Sequence, residues 1–244
     1  MKYKNIKEAY LSSVLNVLNN GELVIKDDND YIKEVLGNFL KVENPLNFNN
    51  RRINYKAYGC EEFLNDIQKG LFDIKGNPIK SDALYEYVKS FENPSDRGFV
   101  YSYPNRLLSY SVGYETFLKL NQFEECKKKL LSHIGSNRAM MVTWNPFTDN
   151  MNDDVPCLQT VQFTIRNNRL FVHVYFRSND VFGGLYSNLF FITYVALKMM
   201  DELNKEAINL NLDFGGIYYY CSSLHLYETD VKIAKKMLLS NGIK

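Results

Sequence analysis

The chain has 244 residues, 45% of them hydrophobic and 23% charged, with 29 Lys and Arg against 28 Asp and Glu. That length and apolar fraction suffice for a substantial buried core. The near balance of charge excludes a global field that would attract nucleic acid or an anionic membrane, so any anion site must be a local pocket. The four cysteines, Cys60, Cys126, Cys157 and Cys221, form no CxxC pair, and there are three histidines. This predicts reduced thiols, a cytoplasmic protein and no metal centre.

The opening MKYKNIKEAYLSSVLNVLNN is an amphipathic helical pattern without the apolar run of a signal peptide, and it should stop at Gly21. YIKEVLGNFLKVENP alternates apolar and polar residues into a turn at Asn44-Pro45. YGCEEFLNDIQKG and SDALYEYVKSFENP read as short helices, the second with Ser81 as its N-cap. One longer helix is expected over YETFLKLNQFEECKKKLLSHIGSN, ending near Gly135.

RAMMVTW then reads as a short strand, and LQTVQFTIRNNRLFVHVYFRS as a hairpin turning at Asn167-Asn168. A glycine-containing turn, DVFGGLYSN, leads into LFFITYVALKMMDEL, which is apolar almost all round and so predicted to be a central buried helix. It is too short to span a membrane, and Asp201 and Glu202 end it. LDFGGIYYYCSSLHLY is another strand, with Gly215-Gly216 marking a bulge or a close backbone approach, and DVKIAKKMLL is a closing helix. Strands with helices grouped around them predict an α+β class rather than repeating βαβ units. Neither GxGxxG nor GxxxxGK[ST] occurs, so a Rossmann or P-loop site has no support.

Cys157 follows Pro156 and opens an alternating run. Alone, such a thiol suits an inert core position better than a nucleophile. Four stretches decide between these: SNRAMMVTWNP, DVPCLQTVQFTIRNNRL, FRSNDVFGGLYSN and LHLYETD. In this order and spacing they resemble the thymidylate synthase superfamily, which includes the pyrimidine-nucleotide hydroxymethylases. The resemblance implies a single domain over residues 1–244, with a catalytic core over 100–244 and a weakly matching helical part over 1–99. It also implies a mixed β-sheet flanked by helices.

The resemblance makes Cys157 the nucleophile that adds to C6 of a pyrimidine nucleoside monophosphate, because C5 is a poor carbon nucleophile until C6 is attacked. A cation favours the thiolate, and Arg177 takes the position near both cysteine and substrate phosphate. Ser178 would add a hydroxyl to that phosphate. Asp180 would serve the folate pterin and the site's water network, and Gly184 would leave room for ligand. Asn188 would read the N3 and O4 edge of the base, which tilts towards uracil. His225 and Tyr227 would bond the ribose hydroxyl. Arg138 would reach the phosphate bound by a second subunit, which requires a homodimer. Tyr103, in VYSYPNRL, would join proton transfer, and Glu62, with Glu61 as alternative, would be the general acid–base. The donor implied is 5,10-methylenetetrahydrofolate.

Several departures accompany the resemblance. Leu158 stands where ordinary synthases carry histidine, Asn65 replaces a family tryptophan, and the distance to Gly70 is off by one. The paired arginines of the dimer phosphate site become Asn137-Arg138. Lys26 is the only cation near an expected phosphate-loop arginine, leaving Arg51, Arg52 or Arg106 to compensate. The chain ends soon after LHLYETD, without a long extension to close over folate, so a wetter site is expected. Hydride would give a methyl product (a divergent thymidylate synthase) and water a hydroxymethyl product. Hydroxymethylation of dUMP, dCMP or CMP is the expected outcome. A nucleotide-binding homologue without turnover is the alternative.

Overall fold

The computed structural model describes residues 1–27, 30–48, 58–69, 71–72, 78–79, 82–94, 101–112, 115–207 and 210–243. After a short β1 (Lys2–Tyr3), the amphipathic opening forms α1 (Ile6–Asn20), whose N-cap Asn5 accepts from Glu8 N at 2.9 Å. Gly21 ends it in extended rather than left-handed geometry (φ −73°), and its N–H still closes onto Val17 O. The chain then forms β2 (Glu22–Asp27) and the long β3 (Asp30–Val42). The helices α2 (Cys60–Lys69) and α3 (Asp82–Lys89) follow the expected apolar spacing, with β4 (Leu71–Phe72) and β5 (Pro78–Ile79) between them. Ser81 lies outside the described residues.

Pro104 and the N-cap Ser102, which accepts from Asn105 N, start α4 (Tyr103–Leu108), a helix the sequence pattern does not announce. Next come β6 (Tyr110–Val112) and β7 (Glu115–Leu120). The single long helix expected from residue 114 is corrected here. Asn121 caps a new helix, α5 (Gln122–Ser132), by accepting from Glu124 N at 3.1 Å, and the residues before it pair as strand. The cap outweighs the apparent helical continuity.

β8 (Met140–Val142), β9 (Leu158–Arg166) and β10 (Arg169–Asp180) run antiparallel. Asn167 and Asn168 both take positive φ, 51° and 56°, as the two-residue hairpin requires. From β10 the chain turns into α6 (Leu185–Glu206) and returns as β11 (Asp213–Tyr227), which pairs parallel to β10. One βαβ crossover is thus built into an otherwise largely antiparallel sheet. Gly216 (φ +121°) sits at the register shift between Leu170 and Phe171, where an added Cβ would lie 2.6 Å from Val42 O. That confirms the expected bulge. α7 (Val231–Ser240) packs on α1.

The sheet order is β1-β3-β11-β10-β9-β8, with β2 on β3, so the protein is α+β with a mixed sheet flanked by helices. α6 is buried along most of its length, and Phe190 and Tyr194 meet Phe48 and Phe63 in an aromatic cluster with centroids 4.9–6.3 Å apart. Burying each such ring stabilises the fold by about 1.5–3 kcal/mol. On the opposite sheet face Phe39, Tyr175 and Tyr220 are exposed beside Tyr218. No helix is long and apolar enough to cross a membrane, among the described residues.

Candidate active site

The carboxyl ends of β10 and β11 lie side by side, with Asp180 opposite His225, and α6 begins five residues after Asp180 in the chain. Crevices at such parallel strand ends are common ligand sites. Cys157 precedes β9 at the same end, and its Sγ lies 3.5 Å from Ser178 Oγ.

Arg177 holds the segment that carries the thiol. Its backbone N–H donates to Cys157 O at 2.9 Å, and its guanidinium donates to Pro156 O at 3.1 Å and Val155 O at 2.9 Å. One more N–H reaches Ser178 Oγ at 3.4 Å, so a positive charge stands one hydroxyl away from the sulfur. Tyr103 accepts from Leu158 N at 3.2 Å, which fixes the residue after the cysteine.

A cleft of about 760 Å³ opens beside these groups, lined by Glu86, Tyr87, Tyr101, Tyr103, Asp154, Gly183, Gly184 and Asn188 among others. Burial pushes the Tyr101 phenol up to about 12, with negative charge at Cys157 and Asp154 adding to it. Burial likewise drives Tyr103 well above the ordinary phenol range, as it does Tyr87. All three therefore stay protonated at neutral pH. Asp180 Oδ1 accepts from Phe182 N at 2.9 Å and shapes the Gly183-Gly184 turn, where a Cβ on Gly183 would lie 2.6 Å from Asp180 Oδ2.

His225 is 4% exposed, and its Nδ1 meets no hydrogen-bond partner among the described residues. Burial, then the charge of Lys26, lowers its pKa against the opposing effects of Asp180 and the Ser223 backbone. Lys26 donates to the Tyr227 hydroxyl, and its ammonium also sits 4.6 Å from the centroid of that ring.

The thymidylate synthase family model matches residues 8–241. The chain belongs to the thymidylate synthase family. It is accordingly a folate-dependent one-carbon transferase. Proteins named "Putative thymidylate synthase" are similar to it: 28% identical in Methanothermobacter marburgensis, over 97% of this chain and 96% of the relative. Those of Methanothermobacter thermautotrophicus and Methanocaldococcus jannaschii are 27% identical, over 98% and 97% of this chain and 97% and 94% of theirs. Identity at this level marks a divergent branch.

Of the residues the resemblance points to, Tyr103, Gly184 and Asn188 line the cleft, and Cys157, Ser178 and Arg177 are joined by hydrogen bonds. Asp180 pairs with His225 across β10 and β11, and His225 stands two residues before Tyr227. Glu61, Glu62 and Arg106 are not in the lining of that cleft. Glu62 accepts from Gly59 N at 3.0 Å and, with Glu61, lines a hollow beside Asp201 and Lys205. Asp201 is thirteen residues along α6 from Asn188, while Phe63, next to Glu62, packs on Phe190 and Tyr194 nearer the start of that helix. Arg106 is committed to Asp149 at 2.6 Å, both side chains largely buried, and is not available to a phosphate. Arg51 and Arg52 lie outside the described residues. Arg138 is exposed on a separate hollow with Lys128, Lys129 and His133, away from the cleft of its own chain.

Three cleft residues were not singled out from sequence. Tyr101 stood in the same VYSYPNRL segment as Tyr103. Glu86 and Tyr87 on α3 carry no motif, and only the docking of that helix brings them to the site. Thiol chemistry checks the whole assignment. Burial raises Cys126 and Cys221 to about 11 and raises Cys60 further, so a haloacetamide near pH 8 should alkylate Cys157 roughly ten-fold or more faster than any of them. Pyrimidine nucleotide should protect Cys157. Slow labelling of all four, without protection, would leave the nucleophile assignment unsupported.

Proposed function

We propose that this chain transfers a one-carbon unit to C5 of a pyrimidine nucleoside monophosphate through a Cys157–C6 bond, and that water completes a hydroxymethyl product. The observation that carries this reading is the assembly of thiol, guanidinium, amide and buried imidazole at one set of strand ends. Bound 5,10-methylenetetrahydrofolate would supply the one-carbon unit. The cleft fits it: about 760 Å³ with three tyrosines in its lining is room for a base and a flat bicyclic ring together. Asp180 and the Gly183-Gly184 turn would hold that ring.

Cys157 adds to C6 as a thiolate, makes C5 a carbon nucleophile, and is expelled at the end. Arg177 keeps the Val155–Cys157 segment in place and puts positive charge beside the sulfur and the substrate phosphate. Ser178 hydrogen-bonds that phosphate. Lys26 is the further cation on the Tyr227 side. Asn188 reads the base edge, and His225 Nδ1 with Tyr227 takes the ribose hydroxyl. Glu86 lines the cleft and is the carboxylate that moves protons at the base. Tyr101 and Tyr103, kept protonated by burial, donate hydrogen bonds to the charge that develops.

Ser187 and Asn188 give the cleft lining a polar side, and water admitted there would favour hydroxymethylation. The name borne by the relatives favours a second reading, in which the product is methylated. Incubation with the donor and, separately, dUMP, UMP, dCMP and CMP, followed by mass spectrometry, distinguishes them. A hydroxymethyl nucleotide formed by wild type and absent with Cys157→Ala is the expected result. A methyl product would establish the second reading, and no product from any of the four would reject both.

The exposed aromatic face of Phe39, Tyr175 and Tyr220 suits a second copy of the chain. Pairing there supports a homodimer in which Arg138 serves the cleft of the other subunit. Sedimentation should find a dimer for wild type and a monomer of low activity for Tyr220→Glu. A monomeric wild type with full activity would contradict this.

A further inference from the structure

A directed line of hydrogen bonds runs behind the base-reading amide. Cys221 Sγ donates to Ser223 O at 3.2 Å, so its proton is used there. The Tyr219 hydroxyl, with the Cys221 thiol as its neighbour, accepts from Asn179 Nδ2 at 2.9 Å. Asn179 therefore turns its Oδ1 the other way, where it accepts from Asn188 Nδ2 at 3.2 Å. Asn188 Oδ1 in turn accepts from the Tyr87 hydroxyl at 2.8 Å. Tyr219 and Asn179 are buried, so water is not at hand to replace these bonds. Gly184 makes the space: a Cβ there would lie 2.7 Å from Asn179 Oδ1 and 3.6 Å from Asn188 Nδ2.

A side-chain amide can turn over and exchange its donor and acceptor ends. Uracil presents an N3 donor beside an O4 acceptor, and cytosine presents the reverse at the same two positions. A freely turning asparagine pairs with either base. A locked one pairs with one and sets donor against donor, and acceptor against acceptor, with the other. After the line is satisfied, Asn188 keeps one free N–H and one free lone pair for the cleft, in an order it cannot exchange without breaking the bonds behind it.

We propose that Tyr219 and Asn179 select the base: as positioning residues they hold the Asn188 amide in one orientation, so the site takes one pyrimidine edge and rejects the other. Tyr87 closes the line from the cleft side. This rests on the reading of the cleft as a pyrimidine-nucleotide site, but not on turnover there.

Calorimetric binding of dUMP and dCMP is the test, with thermal melts to confirm that each variant is folded. Wild type should prefer one nucleotide by roughly 50-fold or more, as sites with buried polar readers do. Tyr219→Phe, which keeps the ring and frees Asn179 to turn, should bring the two affinities within roughly five-fold. Tyr87→Phe should narrow the gap less, because Asn179 still holds Asn188. Equal binding by wild type, or an undiminished preference in a folded Tyr219→Phe, would overturn the proposal. Selective binding without product would leave it standing and reject the catalytic reading instead. Binding of neither nucleotide would reject both.

Discussion

The parallel pairing of β10 with β11 is the constraint on which the site depends. Parallel neighbours need a crossover, and here the crossover is α6, an apolar helix that can only lie buried against the sheet. Its start must therefore fall just beyond the carboxyl end of β10, next to the end of β11. Asp180, Gly184, Asn188 and His225 become neighbours for that reason, although they span 46 positions of the chain. The hairpin through Asn167-Asn168 then brings β9 back along β10 and delivers Cys157 to Ser178.

Polar groups at this junction fall into two kinds. Some are already satisfied by protein: the Arg177 guanidinium on two carbonyls, Asp180 on the turn, and the Tyr219–Asn179–Asn188–Tyr87 line. These hold the reacting parts still before ligand arrives, which is what a positioned nucleophile requires. The other kind is the His225 imidazole, buried at the end of β11, whose Nδ1 meets no partner among the described residues.

Legibility in the sequence followed how local each feature is. The Asn-Asn hairpin, the apolar α6 and the Gly215-Gly216 bulge rest on short-range chemistry and were readable. The Pro-Cys, FRSND and HLY segments carried the site through resemblance. The break at Asn121 was hidden because the apolar spacing of β7 continues smoothly into α5, and only the cap separates them. Glu62 matches a local motif, but what it meets is decided by the docking of α2 along α6, with Cys60 N donating to Asp201 and Phe63 stacking on Tyr194. Glu86 and Tyr87 were silent for the converse reason, since an amphipathic helix does not say which polar residues will face a cleft. Asn179 and Tyr219 read as ordinary strand residues until the two parallel ends are set side by side.

The central claim is that Cys157 forms a covalent bond to the pyrimidine in this cleft. A 5-fluoropyrimidine nucleotide tests it directly, because fluorine at C5 cannot leave as a proton does and should arrest the adduct before the thiol is expelled. The protein would be incubated with 5-fluoro-dUMP or 5-fluoro-dCMP and methylenetetrahydrofolate, denatured, and measured by intact-mass spectrometry with peptide mapping. The account predicts one adduct per chain, confined to the peptide containing Cys157 and absent in Cys157→Ala. Nucleotide that binds but leaves the mass unchanged, or an adduct at any other cysteine, would contradict it.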